Sequence, residues 1–218
     1  MNRNKKAICL ISGGLDSAVA TSIAKSKGYA SYFLFVNYGQ KTLKKEEECV
    51  DNLANRIKPK KVFKVKLPWL KEFGGSALFD KKISLNEKNF RLEYVPFRNS
   101  IFLSVATALA ETIGADAIFI GSTGGDHICP DNSPIYLAAF QDVIRKGTML
   151  KKNIKLIAPL ISTDKTGAIK IGKKLKTHFE LTWSCHNNIT KACGHCSNCK
   201  ARLEAFSVNK REDPILYK

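Results

Sequence analysis

Residues 7–17 read Ala-Ile-Cys-Leu-Ile-Ser-Gly-Gly-Leu-Asp-Ser, an apolar run that leads through two glycines into a more polar stretch. The run Ala7–Ser12 predicts a short buried strand, and Leu15–Lys25 has the pattern of a helix. Glycine adopts backbone angles that other residues avoid, so Gly13 and Gly14 let an anion approach the main chain closely. The helix that follows directs unpaired N–H groups and the positive end of its dipole at the same point. This stretch therefore predicts a phosphate-binding loop.

The polar side chains of the loop add donors and a carboxylate. Ser12 and Ser17 supply hydroxyl groups, and Asp16 could either hold Mg²⁺ or cap the helix. The loop lacks the Gly-Lys-Ser/Thr ending that serves γ-phosphoryl transfer, and it is not the Gly-x-Gly-x-x-Gly of dinucleotide folds. A plain strand–helix turn with a Ser or Asp cap is the alternative interpretation.

Strands and helices alternate along the chain. Apolar runs predict further strands at Tyr32–Val36, Val62–Leu67, Ala115–Ile120 and Ile154–Ala158. Helical patterns cover Lys41–Arg56, Arg98–Ile113, Ser133–Lys146 and Lys165–Leu175. This alternation predicts an α/β fold, a doubly wound parallel sheet with helices on both faces. The alternating apolar and basic residues of Val62–Leu67 place that strand near the sheet edge, and Pro68–Tyr94 is predicted to be a long loop or lid.

The bulk composition limits the partners. The 218 residues fit one domain of ordinary size with a small appendage, and 44% hydrophobic residues can form a core. No apolar run of about 18 residues appears, and the first apolar run is too short for a signal peptide, so we expect a cytoplasmic protein without a membrane span. The formal charge of +17 is compatible with nucleic acid. That partner is left open but not favoured, because the basic residues are scattered and a lysine-rich surface, or attraction of ATP and an anionic substrate, explains the charge as well.

Two positions next to Pro96 are suited to a bound anion. Pro96 fixes an extended entry to a helix, which leaves Arg98 and Asn99 able to reach a phosphate or carboxylate. A solvated Arg98 and an Asn99 cap form the alternative. Lys165 lies at the start of another helix and could place positive charge on a leaving pyrophosphate, unless it is an ordinary surface lysine.

Two carboxylates follow the strand predicted at Ala115–Ile120. Ligands of open α/β sheets bind beyond the carboxyl ends of the strands, and Asp126 and Asp131 lie in the loop that leaves this end. A carboxylate there could accept two hydrogen bonds from a guanine-like edge. Simple turn chemistry is an equally good interpretation of both residues.

Four of the seven cysteines crowd into the C-terminal tail. Their spacing is C-x7-C-x2-C-x2-C, formed by Cys185, Cys193, Cys196 and Cys199. In a cytosolic chain such crowding indicates a metal rather than disulfides, and four sulfurs without an open position describe a structural Zn²⁺ site. An Fe–S cluster is less favoured, since nothing else indicates redox chemistry. We predict that the metal folds a region 181–218 against a nucleotide-binding domain 1–180.

The loop Ser12–Ser17 matches the Ser-Gly-Gly-x-Asp-Ser signature of the PP-loop (N-type) ATP pyrophosphatases, which are adenine nucleotide alpha hydrolase-like proteins. More narrowly, the chain resembles the QueC family over nearly its whole length. The motifs that carry this resemblance, besides the loop itself, are Tyr38-Gly39-Gln40, Ser76-Ala77-Leu78, Val95-Pro96-x-Arg98-Asn99, Pro130-Asp131, Pro159-Leu160…Lys165, Thr182-Trp183-Ser184-Cys185 and Cys193-Gly194-x-Cys196-x-x-Cys199. Phe97, Cys129 and His186 depart from the family pattern, and they bear mostly on substrate identity.

The resemblance implies ATP cleavage between the α and β phosphates, with Mg²⁺, to adenylate a carboxylate. The implied substrates are 7-carboxy-7-deazaguanine and free ammonia, the implied product is the nitrile, and the implied assembly is a homodimer. We expect catalytic roles for Asp16, Ser17, Arg98 and Lys165. Nucleotide contacts are expected at Leu10, Ile11, Ser12, Gly13, Gly14, Leu15, Asp16 and Ser17. Substrate contacts are expected at Gln40, Arg98, Asn99, Asp126 and Asp131.

Three other functions remain open at this point. A tRNA-modifying PP-loop enzyme fits the charge, but 218 residues leave little room for an RNA-binding domain. A QueC-like paralogue could serve DNA or protein modification with deazaguanine, and Phe97 and Cys129 would then mark an altered pocket. A nucleotide sensor without catalysis is the third, and the apparently complete set of motifs disfavours it.

Overall fold

The computed structural model describes residues 5–124, 129–149 and 153–218. At its centre is a five-stranded sheet in the order β3-β2-β1-β4-β5, in which every neighbouring pair is parallel. The strands are β1 (Lys6–Leu10), β2 (Ala30–Asn37), β3 (Val62–Lys66), β4 (Ala117–Phe119) and β5 (Lys155–Ile157). The prediction of a doubly wound α/β fold is confirmed, and β3 lies at an edge as its alternating sequence indicated.

Helices cover both faces of this sheet. They are α1 (Leu15–Ser26), α2 (Leu43–Ile57), α3 (Trp69–Glu72), α4 (Arg98–Ile113), α5 (Pro134–Gly147), α6 (Lys165–Lys174) and α7 (Ser197–Val208). Short 3₁₀ turns lie at Phe90–Glu93, Pro130–Asn132 and Phe179–Leu181. None of the helices in the described ranges is long and apolar enough to cross a membrane.

Two apolar clusters fill the space between sheet and helices. Successive side chains of a strand point to opposite faces, and in β1 Cys9 packs with α1, α2, α6 and α7, whereas Ile8 packs with α4 and α5. The tail helix α7 joins the first cluster through Ala205 and Phe206. The tail is therefore packed on the core through α7, a helix that was not predicted. The expected role of a metal in folding the tail stays a prediction.

Residues 68–94, which we call the strap, contain more structure than a plain loop. The strap includes α3 and the 3₁₀ turn at Phe90–Glu93. It also buries Leu70, Leu78 and Leu85 in a third apolar cluster, together with the four tail cysteines. The strap is thus seated on the C-terminal region rather than projecting from the domain.

The sheet order fixes where a ligand can bind. The chain runs from β1 outward to β2 and β3 on one side, and β4 and β5 lie on the other side. The loop after β1 leads to α1 on one face of the sheet, and the loop after β4 leads to α5 on the other face. Ligands of open α/β sheets bind at such a switch point, beyond the carboxyl ends of the strands. The loop at residues 11–14 lies at this switch point.

Candidate active site

The loop after β1 is held in shape by its two serines. The backbone N–H of Ser12 donates to Oγ of Ser17 at 3.2 Å, and the Ser17 hydroxyl donates to the Gly14 carbonyl oxygen at 3.0 Å. The two hydroxyl oxygens lie 3.3 Å apart. The backbone N–H of Gly14 donates to Ser12 Oγ at 3.3 Å. Hydroxyl and N–H groups thus gather in a small space at the N-terminus of α1, where an anion is favoured.

Two glycines are required because other backbone lies too close for a side chain. Gly13 has a φ of 77°, and a Cβ there would lie 2.7 Å from the Glu46 carbonyl oxygen. A Cβ on Gly121, which follows β4, would lie 2.6 Å from the backbone nitrogen of Ser17. The loop is therefore closely packed between α2 on one side and the end of β4 on the other.

The apolar residues among the predicted nucleotide contacts lie behind the loop. Leu10, Ile11 and Leu15 are all buried. Ile11 and Leu15 pack in the cluster on the α1 face, and Leu10 packs in the cluster on the α4 face. Their side chains belong to the core, so any contact with a nucleotide would be made by their backbone.

Lys165 and Asp16 meet at the mouth of this loop. Lys165 Nζ lies 3.0 Å from Asp16 Oδ2, although the residues are 149 positions apart. Among the described side chains, Asp16 Oδ1 is a buried acceptor without a hydrogen-bond partner. Gly14 is the N-cap of α1, and no side chain makes a capping hydrogen bond there. Of the two roles considered for Asp16, the geometry therefore fits a cation ligand better than a helix cap.

A second group of polar side chains lies beyond the ends of β2 and β4. Arg98 Nη1 donates to the Tyr38 hydroxyl at 3.3 Å, and its guanidinium carbon lies 5.6 Å from the Tyr38 ring centroid. Burial raises the pKa of Tyr38 to about 12, so the phenol stays neutral and can accept this hydrogen bond. Arg98 is thereby held in one orientation while its charge remains available to an anion.

Asp131 caps α4 from a distant part of the chain. Its Oδ2 accepts from the backbone N–H groups of Asn99 at 2.8 Å and Ser100 at 3.3 Å, and its Oδ1 accepts from Asn99 Nδ2 at 3.3 Å. The N-cap position itself is Phe97, which has a left-handed φ of 57° and no side-chain cap. Both Asp131 oxygens are engaged, so its contact with a guanine-like edge stays a prediction. Asp126 lies outside the described residues.

Gln40 is also engaged inside the protein. Its Oε1 accepts from the Tyr38 backbone N–H at 3.0 Å, and its Nε2 donates to Glu46 Oε2 at 2.8 Å. Glu46 also accepts from the Thr42 hydroxyl at 2.6 Å. Glu46 was not predicted from the sequence. The signal that could have identified it is its position one helical turn after Thr42, where the two side chains can meet. This network joins the segment after β2 to the helix that packs on Gly13.

The four tail cysteines converge as the spacing predicted. Their sulfurs all lie within 4.8 Å of one another and are buried, and Cys193 Sγ and Cys199 Sγ are 3.9 Å apart. A tetrahedral Zn²⁺ with bonds of about 2.3 Å would separate its sulfurs by about 3.8 Å. Hydrogen bonds from the Cys196 and Cys199 thiols, with backbone N–H groups, hold the pKa of Cys185 well below its usual range. The cluster has the composition and geometry of a metal site.

The strap is hydrogen-bonded to this metal site region. Asn187 Nδ2 donates to the Leu85 carbonyl oxygen and Asn187 Oδ1 accepts from the Leu85 N–H, both at 2.8 Å. Glu93 accepts from Ser197 Oγ at 2.6 Å and from Asn198 Nδ2 at 2.9 Å. Burial would raise the pKa of Glu93, but nearby His186 and these donors outweigh it and lower the pKa. The strap is therefore tied to the tail at two points.

The fold and the loop at residues 12–17 define the class: a PP-loop ATP pyrophosphatase-like α/β protein. A solved 4-thiouridine synthetase in complex with RNA and ATP superimposes with a TM-score of 0.56 at 19% identity, covering 100% of this chain and 48% of that chain. At this identity the likeness shows the fold alone.

Sequence similarity narrows the class to one family. The model of the queuosine biosynthesis protein QueC matches residues 6–210. A 7-cyano-7-deazaguanine synthase of Sulfurovum sp. (strain NBC37-1) is 40% identical over 98% of this chain and 99% of its own length. One from Methanospirillum hungatei JF-1 is 41% identical over 98% of this chain and all of its own length. The chain belongs to the QueC family.

Proposed function

We propose that the protein uses ATP to convert 7-carboxy-7-deazaguanine and ammonia into 7-cyano-7-deazaguanine, a step of queuosine biosynthesis. The observation that carries this proposal is the similarity to 7-cyano-7-deazaguanine synthases over 98% of the chain. The contact of Lys165 with Asp16 supports it, because a cation then lies beside the proposed phosphate-binding loop.

The conversion needs two activation steps, because a carboxylate is a poor electrophile. In the first, a carboxylate oxygen attacks the α-phosphorus of ATP, the bond to the β-phosphate oxygen breaks, and pyrophosphate leaves. Ammonia then adds to the acyl carbon, AMP departs with the C–O bonding electrons, and a proton is lost to give the amide. In the second, the amide oxygen attacks the α-phosphorus of a second ATP and pyrophosphate leaves. Loss of AMP, with the C–O bonding electrons, and of both protons from nitrogen then gives the nitrile. Each AMP thus carries away one oxygen of the carboxylate.

The loop supplies the binding groups for both rounds. The N–H of Gly14 and the hydroxyls of Ser12 and Ser17 would bind phosphate oxygens, and Lys165 would stabilise charge on the departing pyrophosphate. Asp16 Oδ1, which has no hydrogen-bond partner within the described part of the chain, fits a Mg²⁺ ligand. When bound, Mg²⁺ would neutralise part of the phosphate charge.

The second polar group is assigned to the deazaguanine substrate. Arg98, held by Tyr38, would pair with the substrate carboxylate or an α-phosphate oxygen. Asn99 and Asp131 contact each other at the N-terminus of α4, next to Arg98 in the chain, and are assigned to the same substrate. Gln40 would act by holding Tyr38 in place, since its amide oxygen is used within the protein.

We assign Zn²⁺ to the four cysteines, because four sulfurs leave no open position for catalysis. Bound Zn²⁺ would neutralise thiolate charge and fix the tail. We further propose a domain boundary near residue 180. The protein would act on small molecules in the cytoplasm, as a homodimer.

Incubation of the zinc-loaded protein with ATP, Mg²⁺, ammonium and 7-carboxy-7-deazaguanine, followed by mass spectrometry, tests this function. The expected products are the nitrile, AMP and pyrophosphate, with two AMP for each nitrile. AMP formation without the nitrile would move the search to another carboxylate, as expected of a paralogue. No nucleotide turnover would contradict the proposal.

A further inference from the structure

Trp183 lies between the phosphate loop and the four-cysteine cluster and is bonded to both. Its backbone N–H donates to the Gly13 carbonyl oxygen at 2.9 Å. Its indole Nε1 donates to the carbonyl oxygens of Cys185 and Asn188, both at 3.0 Å. Trp183 is only 6% exposed. One buried residue thus joins the loop that carries the first sulfur to the loop proposed to bind ATP.

The hydrogen bond to Gly13 sets the direction of a neighbouring donor. The C=O of Gly13 and the N–H of Gly14 belong to one planar trans peptide, so they point in opposite directions. While Trp183 holds the carbonyl, the Gly14 N–H is directed at Ser12 Oγ, where the loop hydroxyls gather. Glycine is free to adopt many backbone angles, so the two glycines alone would not fix this orientation.

The metal region in turn holds Trp183 in place. The chain from Cys185 to Cys193 turns back on itself, and the N–H groups of Asn187 and Asn188 donate to the Cys185 sulfur at 3.4 Å. The indole N–H spans the base of this turn. A bound metal that fixes the Cys185 sulfur therefore also fixes the two carbonyl groups that receive the indole N–H.

We propose that Trp183 is a positioning residue that couples metal binding at the four cysteines to nucleotide binding at Gly13 and Gly14. Loss of the metal loosens the turn after Cys185, releases the Gly13 carbonyl and leaves the Gly14 N–H without a fixed direction. Because such coupling is reciprocal, bound nucleotide also tightens the metal site. The inference rests on the proposed function, since it requires ATP to bind at this loop.

Trp183→Phe tests the coupling, because phenylalanine keeps an aromatic ring and the backbone N–H that bonds Gly13 but has no ring N–H. Trp69→Phe is the matched control, since Trp69 is the other tryptophan and lies partly exposed in α3. For both zinc-loaded full-length variants, ATP affinity would be measured by titration calorimetry and KM and kcat by AMP release. Loss of the indole N–H, the single donor shared by the two carbonyl oxygens, predicts an ATP Kd and KM raised about tenfold in Trp183→Phe, with kcat at saturating ATP changed less. Trp69→Phe should match the parent chain.

A second measurement keeps the test valid if Trp183→Phe folds poorly. Transfer of zinc from the unaltered chain to a chromophoric chelator would be followed with and without α,β-methylene-ATP, in excess Mg²⁺. Bound nucleotide should slow the transfer severalfold. An unchanged transfer rate, or a folded, zinc-loaded Trp183→Phe with unchanged ATP affinity, would overturn the coupling. Absence of ATP binding by the unaltered chain would instead overturn the proposed function.

Discussion

The phosphate loop and the four-cysteine cluster keep their shapes by different means. The phosphate loop lies between β1 and α1, and hydrogen bonds of its serines and of Trp183, together with close packing at its glycines, hold it in shape. The four-cysteine cluster lies mostly in irregular chain, with Cys199 alone inside a helix, and brings four sulfurs together in a buried space. Buried thiolates repel one another unless a cation lies between them. The first site is therefore held mainly by the fold around it, whereas the second is expected to depend directly on a bound metal.

The largest expected effect comes from loss of a sulfur ligand. Cys196→Ser should release the metal and lower Tm by on the order of 10 °C, since structural zinc contributes folding free energy directly. Zinc content and thermal unfolding measure this. Cys129 lies outside the cluster, so the Cys129→Ser variant should keep the metal. Retention of zinc and of full Tm by Cys196→Ser would remove the contrast between the two sites.

The next largest effect concerns catalysis at the phosphate loop. Lys165→Ala should lower the rate of AMP formation at saturating ATP by about a hundredfold, because the charge on departing pyrophosphate is left uncompensated. Zinc content and Tm should stay near those of the parent chain. Lys170→Ala, on the exposed side of the same helix, is the control. An unchanged rate in Lys165→Ala would show that the ion pair between Lys165 and Asp16 has only a structural role.

A smaller effect is expected from crowding the loop. Gly121→Ala places a methyl group 2.6 Å from the Ser17 nitrogen, and the start of α1 must move. Such overpacking costs about 1–3 kcal/mol of unfolding free energy and should weaken ATP binding. Chemical denaturation and calorimetry measure the two effects. Gly147→Ala, where an added Cβ meets nothing within 4 Å, should be tolerated. Equal unfolding free energy and ATP affinity in the two variants would show that the loop is not closely packed against the end of β4.

The smallest effect concerns the strap. Glu93→Gln removes the charge that Ser197 and Asn198 face, so about 1 kcal/mol of local stability should be lost. Hydrogen exchange in the strap should become faster, with little change in the phosphate loop. Glu87→Gln, also in the strap but exposed at its pairing with Lys200, is the control. Equal exchange in both variants would show that Glu93 does not anchor the strap.

Local pattern was sufficient for most of the fold and for two of its motifs. The strand–helix alternation, the phosphate loop and the cysteine spacing are each set by residues near one another in sequence. Helix α7 was missed because its buried face includes Arg202, a charged residue that hides the apolar spacing. Arg202 is fully buried, and Asp213 pairs with it at 2.6 and 2.9 Å.

Contacts between distant residues account for what the sequence left open. The capping of α4 by Asp131 spans about 30 residues, the pair of Lys165 with Asp16 spans 149, and Trp183 reaches back to Gly13. Nothing in the local pattern marks such partners, because each residue type also suits an ordinary turn or surface position. The roles expected for Gln40, Asn99 and Asp131 in substrate binding therefore stay predictions.

ATP is proposed to activate a carboxylate by adenylation, and the fate of the two carboxylate oxygens distinguishes this reaction from other uses of ATP. The protein would be given 7-carboxy-7-deazaguanine with both carboxyl oxygens replaced by ¹⁸O, together with ATP, Mg²⁺ and ammonium, and AMP and pyrophosphate would be analysed by mass spectrometry. We expect one ¹⁸O in each AMP, none in pyrophosphate, and two labelled AMP for each nitrile. Unlabelled AMP, or ¹⁸O in pyrophosphate or phosphate, would contradict it.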